Sequence, residues 1–228
     1  MQIDAILFDK DGTLFDFAAT WVAWTDSLIA RLSRGDAEMA AAIAAAIGFD
    51  PVARLFVPGS PVIAGTPEEV AHVLAPVLRQ PLSRVVDLLN SEGMAAPIAE
   101  AVPLAPLLDG LLGRGLVLGV ATNDAEAPAR AHLAKAGIED RFAFIAGSDS
   151  GHGAKPAPGQ CLAFAQATGL DPARVVMVGD SQHDLVAGRA AGMWTIAVTT
   201  GPTPASDLRA LADAVLPDIG HLPEWLGT

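Results

Sequence analysis

Residues 3–9, Ile-Asp-Ala-Ile-Leu-Phe-Asp, carry the pattern on which the fold turns. Ile3, Ala5, Ile6, Leu7 and Phe8 form too continuous an apolar run for a strand with one wet face, which would alternate. The run predicts a short strand buried on both sides, the kind that parallel sheets contain. Working outward, the pattern recurs at residues 116–121 (LVLGVA), more weakly at 142–146 (FAFIA), then at 175–178 (VVMV), 195–198 (TIAV) and 214–216 (AVL). Helix-period segments lie between them, at 105–114, 126–136, 159–168 and 183–191. Strands alternating with helices from about residue 100 onward predict an α/β fold, a parallel sheet with helices on both faces.

Residues 16–97 read differently. Helix-period apolar residues fill 21–32, 36–47, 67–78 and 83–89, with no convincing strand among them. Thr66 can cap a helix, Pro67 suits its first turn, and Glu69 holds the capping-box position. Residues 56–65 (FVPGSPVIAG) predict a loop by their proline and glycine content. The expected organisation is therefore a core made of 1–15 and 98–228, interrupted by a helical insertion at 16–97.

Bulk properties narrow the function. A chain of 228 residues, half of them apolar and 18% charged, is a packed globular protein with room for a core and a smaller appended unit. The single cysteine, Cys161, excludes an intramolecular disulfide framework. No apolar run is long enough to span a bilayer, and the short apolar start carries no secretory signal, so the expected location is cytoplasmic. A net charge of −12 with no basic stripe argues against nucleic-acid or membrane partners. A small molecule is the expected partner.

Ligands of open parallel sheets bind at the carboxyl ends of the strands. The polar residues that end these strands are Asp9 and Asp11, Thr122 and Asn123, and Asp180 and Asp184. Lys155 lies in the loop SGHGAKPAP at 150–158, one of only three lysines in the chain. Four carboxylates against one lysine leave unpaired negative charge, which a hard divalent cation such as Mg²⁺ would relieve. Plainer roles exist for several of these residues. Thr122 and Asn123 could cap the helix that follows them, and Ser181 and Asp184 could be a helix start. Lys10 alternates to the opposite side of the strand and is expected to be solvated or to meet the insertion. His152 and His183 are expected at the mouth of the site, and Trp21 and Trp24 in the packing of the insertion.

Four motifs in order, FDKDGTL at 8–14, VATN at 120–123, GAKPAP at 153–158 and VGDSQHD at 178–184, resemble those of the haloacid dehalogenase superfamily. Within it the chain is similar to the phosphoglycolate phosphatase type. The resemblance implies a doubly wound, Rossmann-like core with a helical cap inserted after the first strand. It also implies a Mg²⁺-dependent phosphatase acting on a small phosphorylated metabolite, a phosphoglycolate-like monoester, through an aspartyl-phosphate. By position, Asp9 resembles the nucleophile and Asp11 the general acid–base, whose backbone carbonyl is also a metal ligand. Thr122 and the amide of Asn123 resemble the phosphate-binding pair, and Lys155 the lysine that steadies phosphate and nucleophile. Asp180 resembles the metal ligand, and Asp184 the second acid of its motif, working through water or through Lys155.

The acid at position 11 favours phosphoryl transfer over dehalogenation, since protonating a leaving oxygen needs it. The insertion has no lysine between Asp16 and Pro97, which argues against the family's Schiff-base phosphonate chemistry. A phosphosugar mutase shares every core motif and stands as the alternative, with a phosphoacceptor or binding protein without turnover behind it. Arg31, Arg34, Arg54, Arg79 and Arg84 are the insertion's candidates for substrate recognition, with Arg54 first because it precedes the Pro/Gly loop.

Overall fold

The computed structural model describes residues 2–227. Strand β1 (Ala5–Phe8) is buried along its whole length. Ile6 and Phe8 enter one apolar cluster, and Ala5 and Leu7 enter another on the opposite face. Two dry faces explain why no polar residue interrupts the run.

After β1 the chain enters the insertion. Helix α1 (Phe17–Ser33) begins where the Asp16 carboxylate accepts from the Ala19 amide at 2.7 Å. Helix α2 (Ala37–Ala46) is capped by Asp36 in the same way. Two residues each of β2 (Phe49–Asp50) and β3 (Leu55–Phe56) then form an antiparallel hairpin. The expectation of no strand in this region is thus corrected. The hairpin is fixed by its turn: the Asp50 carboxylate accepts from the amides of Val52 and Ala53, and Arg54 takes a left-handed conformation. The expected loop at 56–65 is also partly ordered, as the short helix α3 (Pro61–Ala64) with Ser60 as its cap. Helix α4 (Pro67–Leu78) starts with both halves of the capping box between Thr66 and Glu69. Helix α5 (Leu82–Met94) completes the insertion. These helices surround their own apolar cluster, which includes Trp24, Leu28, Ile43, Leu74 and Leu89.

The chain leaves and re-enters the sheet side by side. The Asp16 amide donates to the Ala99 carbonyl at 2.8 Å, and the Ala101 amide to the Leu14 carbonyl at 2.9 Å. Helix α6 (Leu104–Gly113) leads into β4 (Val117–Ala121), followed by α7 (Glu126–Lys135) and β5 (Phe144–Ala146). Helix α8 (Gly159–Thr168), β6 (Val175–Gly179), α9 (Gln182–Ala190), β7 (Trp194–Val198) and β8 (Ala214–Leu216) follow. The six long-range strands form one parallel sheet in the order β5-β4-β1-β6-β7-β8. Phe8 is in register with Val120 on one side and Val178 on the other. The residues just past β1, β4 and β6 therefore emerge together, and these are Asp9, Thr122 and Asp180. Among the described residues, no helix is long and apolar enough to cross a membrane.

Candidate active site

Asp9 leaves the end of β1 with its amide on the Val178 carbonyl at 2.8 Å. Its Oδ1 accepts from Lys155 Nζ at 2.6 Å. The same ammonium donates to Asp184 Oδ1 at 2.5 Å and to the Ala121 carbonyl at 2.7 Å, so all three of its protons are engaged. Burial works against the lysine's charge, yet Asp184 and Asp9 hold its pKa above the ordinary value. Burial is also the main reason that the Asp9 carboxyl is pushed up to about 7; the charges of Asp184 and Asp11 add to this, and Lys155 opposes it.

Asp184 has a second task. Its Oδ2 accepts from the hydroxyl of Ser181 at 2.6 Å and from the Ser181 amide at 3.0 Å, closing a capping box at the start of α9. Asp180 has no salt-bridge partner among the described residues. Burial, then the charges of Asp9 and Asp184, push its carboxyl well above the usual range. A Cβ on Gly12 or Gly201 would overlap the Asp180 side chain, and Gly12 has φ +83°. Only glycine lets the backbone press this closely on that carboxylate.

Carboxylate oxygens of Asp9, Asp180 and Asp184 lie within 4.8 Å of one another, all buried. Three buried carboxylates with one ammonium between them are costly unless a cation joins them. The all-oxygen donor set suits a hard divalent ion.

Asn123 clamps the Lys155 loop. Its amide group donates to the Lys155 carbonyl and its Oδ1 accepts from the Lys155 amide, each at 2.8 Å. The same amide group donates to the Ala64 carbonyl of α3 at 2.8 Å, and His183 meets that carbonyl at 3.1 Å. The insertion is thereby seated on the site. Thr122 is buried beside them, with its hydroxyl accepting from the Asp124 amide at 3.1 Å.

Of the two places expected for Lys10, solvent and the insertion, it takes the second: it is wholly buried and meets Trp21 of the insertion, yet it is not turned away from the site. Its ammonium lies 2.7 Å from Asp11 Oδ2, 3.3 Å from Asp124 Oδ2 and 3.0 Å from His132 Nδ1, and 5.5 Å from the centre of the Trp21 ring. The alternation argument failed because β1 ends at Phe8 and the chain turns at once. Burial opposes the Lys10 charge, but Asp11 and Asp124 hold its pKa above normal. His132 Nε2 sits 2.8 Å from the Gly93 carbonyl in α5. Facing a lysine through Nδ1 and a carbonyl through Nε2, the ring accepts at the first and donates at the second, so it is neutral. Asp124 and His132 were not singled out from sequence, and the only signal was an acid following Asn123. The expected helix start at Ser181 and Asp184 is present as the capping box.

A cavity of about 80 Å³ lies over these groups, several times the space one water needs. Asp9, Asp11, Thr122, Asn123, Lys155 and Asp180 contribute to its floor, and Asp184 and His183 also line it. Trp21 and Trp24 both line it as well as packing the insertion. His152 is exposed and does not line it. Arg54 is corrected too: its guanidinium pairs with Asp26 at 2.6 Å, is largely exposed, and is not in the cavity wall.

Residues 3–192 match the family model of the haloacid dehalogenase-like hydrolases. The chain is 34% identical to the "Probable phosphatase IndB" of Dickeya dadantii (strain 3937), over 93% of this chain and 88% of that protein. It is 37% identical to a phosphoglycolate phosphatase of Rhodospirillum rubrum, a match spanning 53% of this chain and 50% of that protein. The crystal structure of a β-phosphoglucomutase from Clostridium difficile shares the fold, with a TM-score of 0.72 at 17% identity, covering 99% of this chain and 96% of that one. On the family match over most of its length, the chain belongs to the haloacid dehalogenase-like hydrolases.

Proposed function

We propose that this hydrolase is a phosphatase of small phosphorylated metabolites, working with Mg²⁺ through an aspartyl-phosphate on Asp9. The observation that carries the reading is the Asp9 carboxylate, fixed through Oδ1 by Lys155 on the floor of the cavity, with Asp11 two residues on. Among the described residues, Asp9 Oδ2 accepts no hydrogen bond and is free to attack. The names of the Dickeya and Rhodospirillum relatives, both phosphatases, support the same class. We assign residues 16–97 as the cap and 1–15 with 98–228 as the catalytic core.

In the first step Asp9 Oδ2 forms a bond to phosphorus as the bond to the leaving oxygen breaks. Asp11 gives that oxygen a proton; its Oδ1 is buried without a partner and its Oδ2 is anchored by Lys10. In the second step water attacks the same phosphorus and Asp11 takes its proton. The P–O bond to Asp9 breaks, returning the carboxylate and free phosphate. The charge of Lys155, the Thr122 hydroxyl and the backbone amide of Asn123 would face the phosphoryl oxygens. Asp9, Asp180 and the backbone carbonyl of Asp11 would hold Mg²⁺, with Asp184 behind them on Lys155, and the ion when bound would neutralise phosphoryl charge.

The test is hydrolysis of p-nitrophenyl phosphate. Activity should need Mg²⁺, disappear in EDTA and fall at least about a thousandfold in Asp9→Asn with the fold retained. Full activity in chelator, or in Asp9→Asn, would refute the reading.

A further inference from the structure

The cavity has two chemically opposite halves. Its floor is the acids, Lys155, Thr122 and Asn123. Its roof, supplied by the insertion, includes Phe17, Trp21, Trp24, Val62, Ile63 and Leu89. No arginine or lysine of the insertion reaches this wall. Arg31 pairs with Glu92 and Arg54 with Asp26. Arg34 and Arg84 line a separate surface groove, and Arg79 sits in a left-handed turn at the end of α4. Lys10 lies beneath Trp21 with its charge already shared between Asp11 and Asp124. A donor that the insertion does bring to the wall, Trp24 Nε1, is uncharged and has no acceptor in the protein.

Phosphate bound at Asp9 and Lys155 leaves its ester group against this roof. A second anionic group there would lose its hydration, find no arginine or lysine of the insertion, and face the acids of the floor. An uncharged apolar group would instead bury its surface against rings and branched aliphatic side chains. We infer that the substrate is a phosphomonoester whose leaving group is uncharged and predominantly apolar, and that a leaving group with its own carboxylate, as in 2-phosphoglycolate, is disfavoured. The inference rests on the phosphatase reading and names its substrate class.

The test compares benzyl phosphate with 4-carboxybenzyl phosphate, which keep the same reacting alcohol and differ by one carboxylate, and with 2-phosphoglycolate. All are assayed on the intact protein with Mg²⁺, with p-nitrophenyl phosphate as the measure of basic phosphatase competence. The kcat/KM of benzyl phosphate should exceed that of both carboxylated esters by at least about tenfold. Ile63→Arg, at a half-buried position of the roof, should shrink the ratio of benzyl to 4-carboxybenzyl phosphate by at least about fivefold, since it supplies the missing cation. Equal or better turnover of the carboxylated esters by the unaltered protein would overturn the substrate class and leave the phosphatase reading standing. Failure to hydrolyse any of the four esters would overturn both.

Discussion

Asp9 and Asp11 are two residues apart yet answer to different lysines. Asp9 shares Lys155 with Asp184, and Asp11 shares Lys10 with Asp124. This division separates the two roles we propose. The nucleophile keeps one oxygen free, while the acid–base is held from behind by an ammonium that packs under Trp21. Lys10 is thus a positioning residue, and removing it leaves two largely buried carboxylates without a cation. Lys10→Met should cost about 3–5 kcal/mol of stability in urea denaturation. Adding Asp124→Asn to that variant should restore part of the loss, because one of the stranded charges goes with it. A single variant as stable as the original protein would show that the pair contributes nothing net.

At the scale of elements, α5 of the insertion is tied to α7 of the core through the His132 ring and the Gly93 carbonyl. Burial, followed by the charge of Lys10, lowers the His132 pKa from 6.5 to about 4. The unfolded chain takes up a proton here below pH 6.5 while the folded protein does not until about pH 4. The contribution of His132 to stability is therefore complete above pH 6.5 and is lost as pH falls through that window, by about 3 kcal/mol at most. The drop in melting temperature from pH 7 to pH 5 should be smaller in His132→Asn than in the unaltered protein. An identical pH dependence would show that the ring takes up its proton over the same pH range in the fold as in the unfolded chain.

The same elements show what a sequence can disclose. Strands β1 and β6 were the most legible because a strand dry on both faces has no polar interruption. Helix α4 was legible to the residue because Thr66, Pro67 and Glu69 each mark its start. The β2–β3 hairpin was not, since two residues per strand show no period and the turn rests on one carboxylate, Asp50. At the site, the acids and Lys155 could be placed by strand ends. The fates of Lys10, Asp124 and His132 depend on a contact between residues 122 positions apart, which no local pattern encodes. Arg54 was chosen for its place before a loop, and tertiary pairing with Asp26 took it elsewhere.

Across the whole molecule, a net charge of −12 leaves the site to build its own attraction for an anion. All three lysines are spent there or on its connection to the insertion: Lys155 on the floor, Lys10 behind Asp11, and Lys135 on the Ala96 carbonyl at 3.3 Å. On the reading we propose, the excess of buried acid would make metal binding contribute to the stability of the fold as well as to catalysis. Mg²⁺ at about a hundred times its dissociation constant should add about 2.7 kcal/mol, or about 5–10 °C of melting temperature for a protein of this size. Asp180→Asn should abolish that gain and, without metal at neutral pH, melt higher than the unaltered protein, because a carboxylate whose pKa is raised by folding opposes folding when charged. A Mg²⁺ shift that survives in Asp180→Asn would place the ion elsewhere.

The measurement that bears most directly on the central claim is chemical trapping of the intermediate. The protein is mixed with a phosphate-labelled ester and Mg²⁺, quenched in acid within one turnover, digested and mapped by mass spectrometry. Label should be found on Asp9, in the peptide that begins after strand β1's run of apolar residues is cleaved free, and should be absent from Asp9→Asn. Label on any other residue, or hydrolysis with no labelled residue at any quench time, would contradict the account.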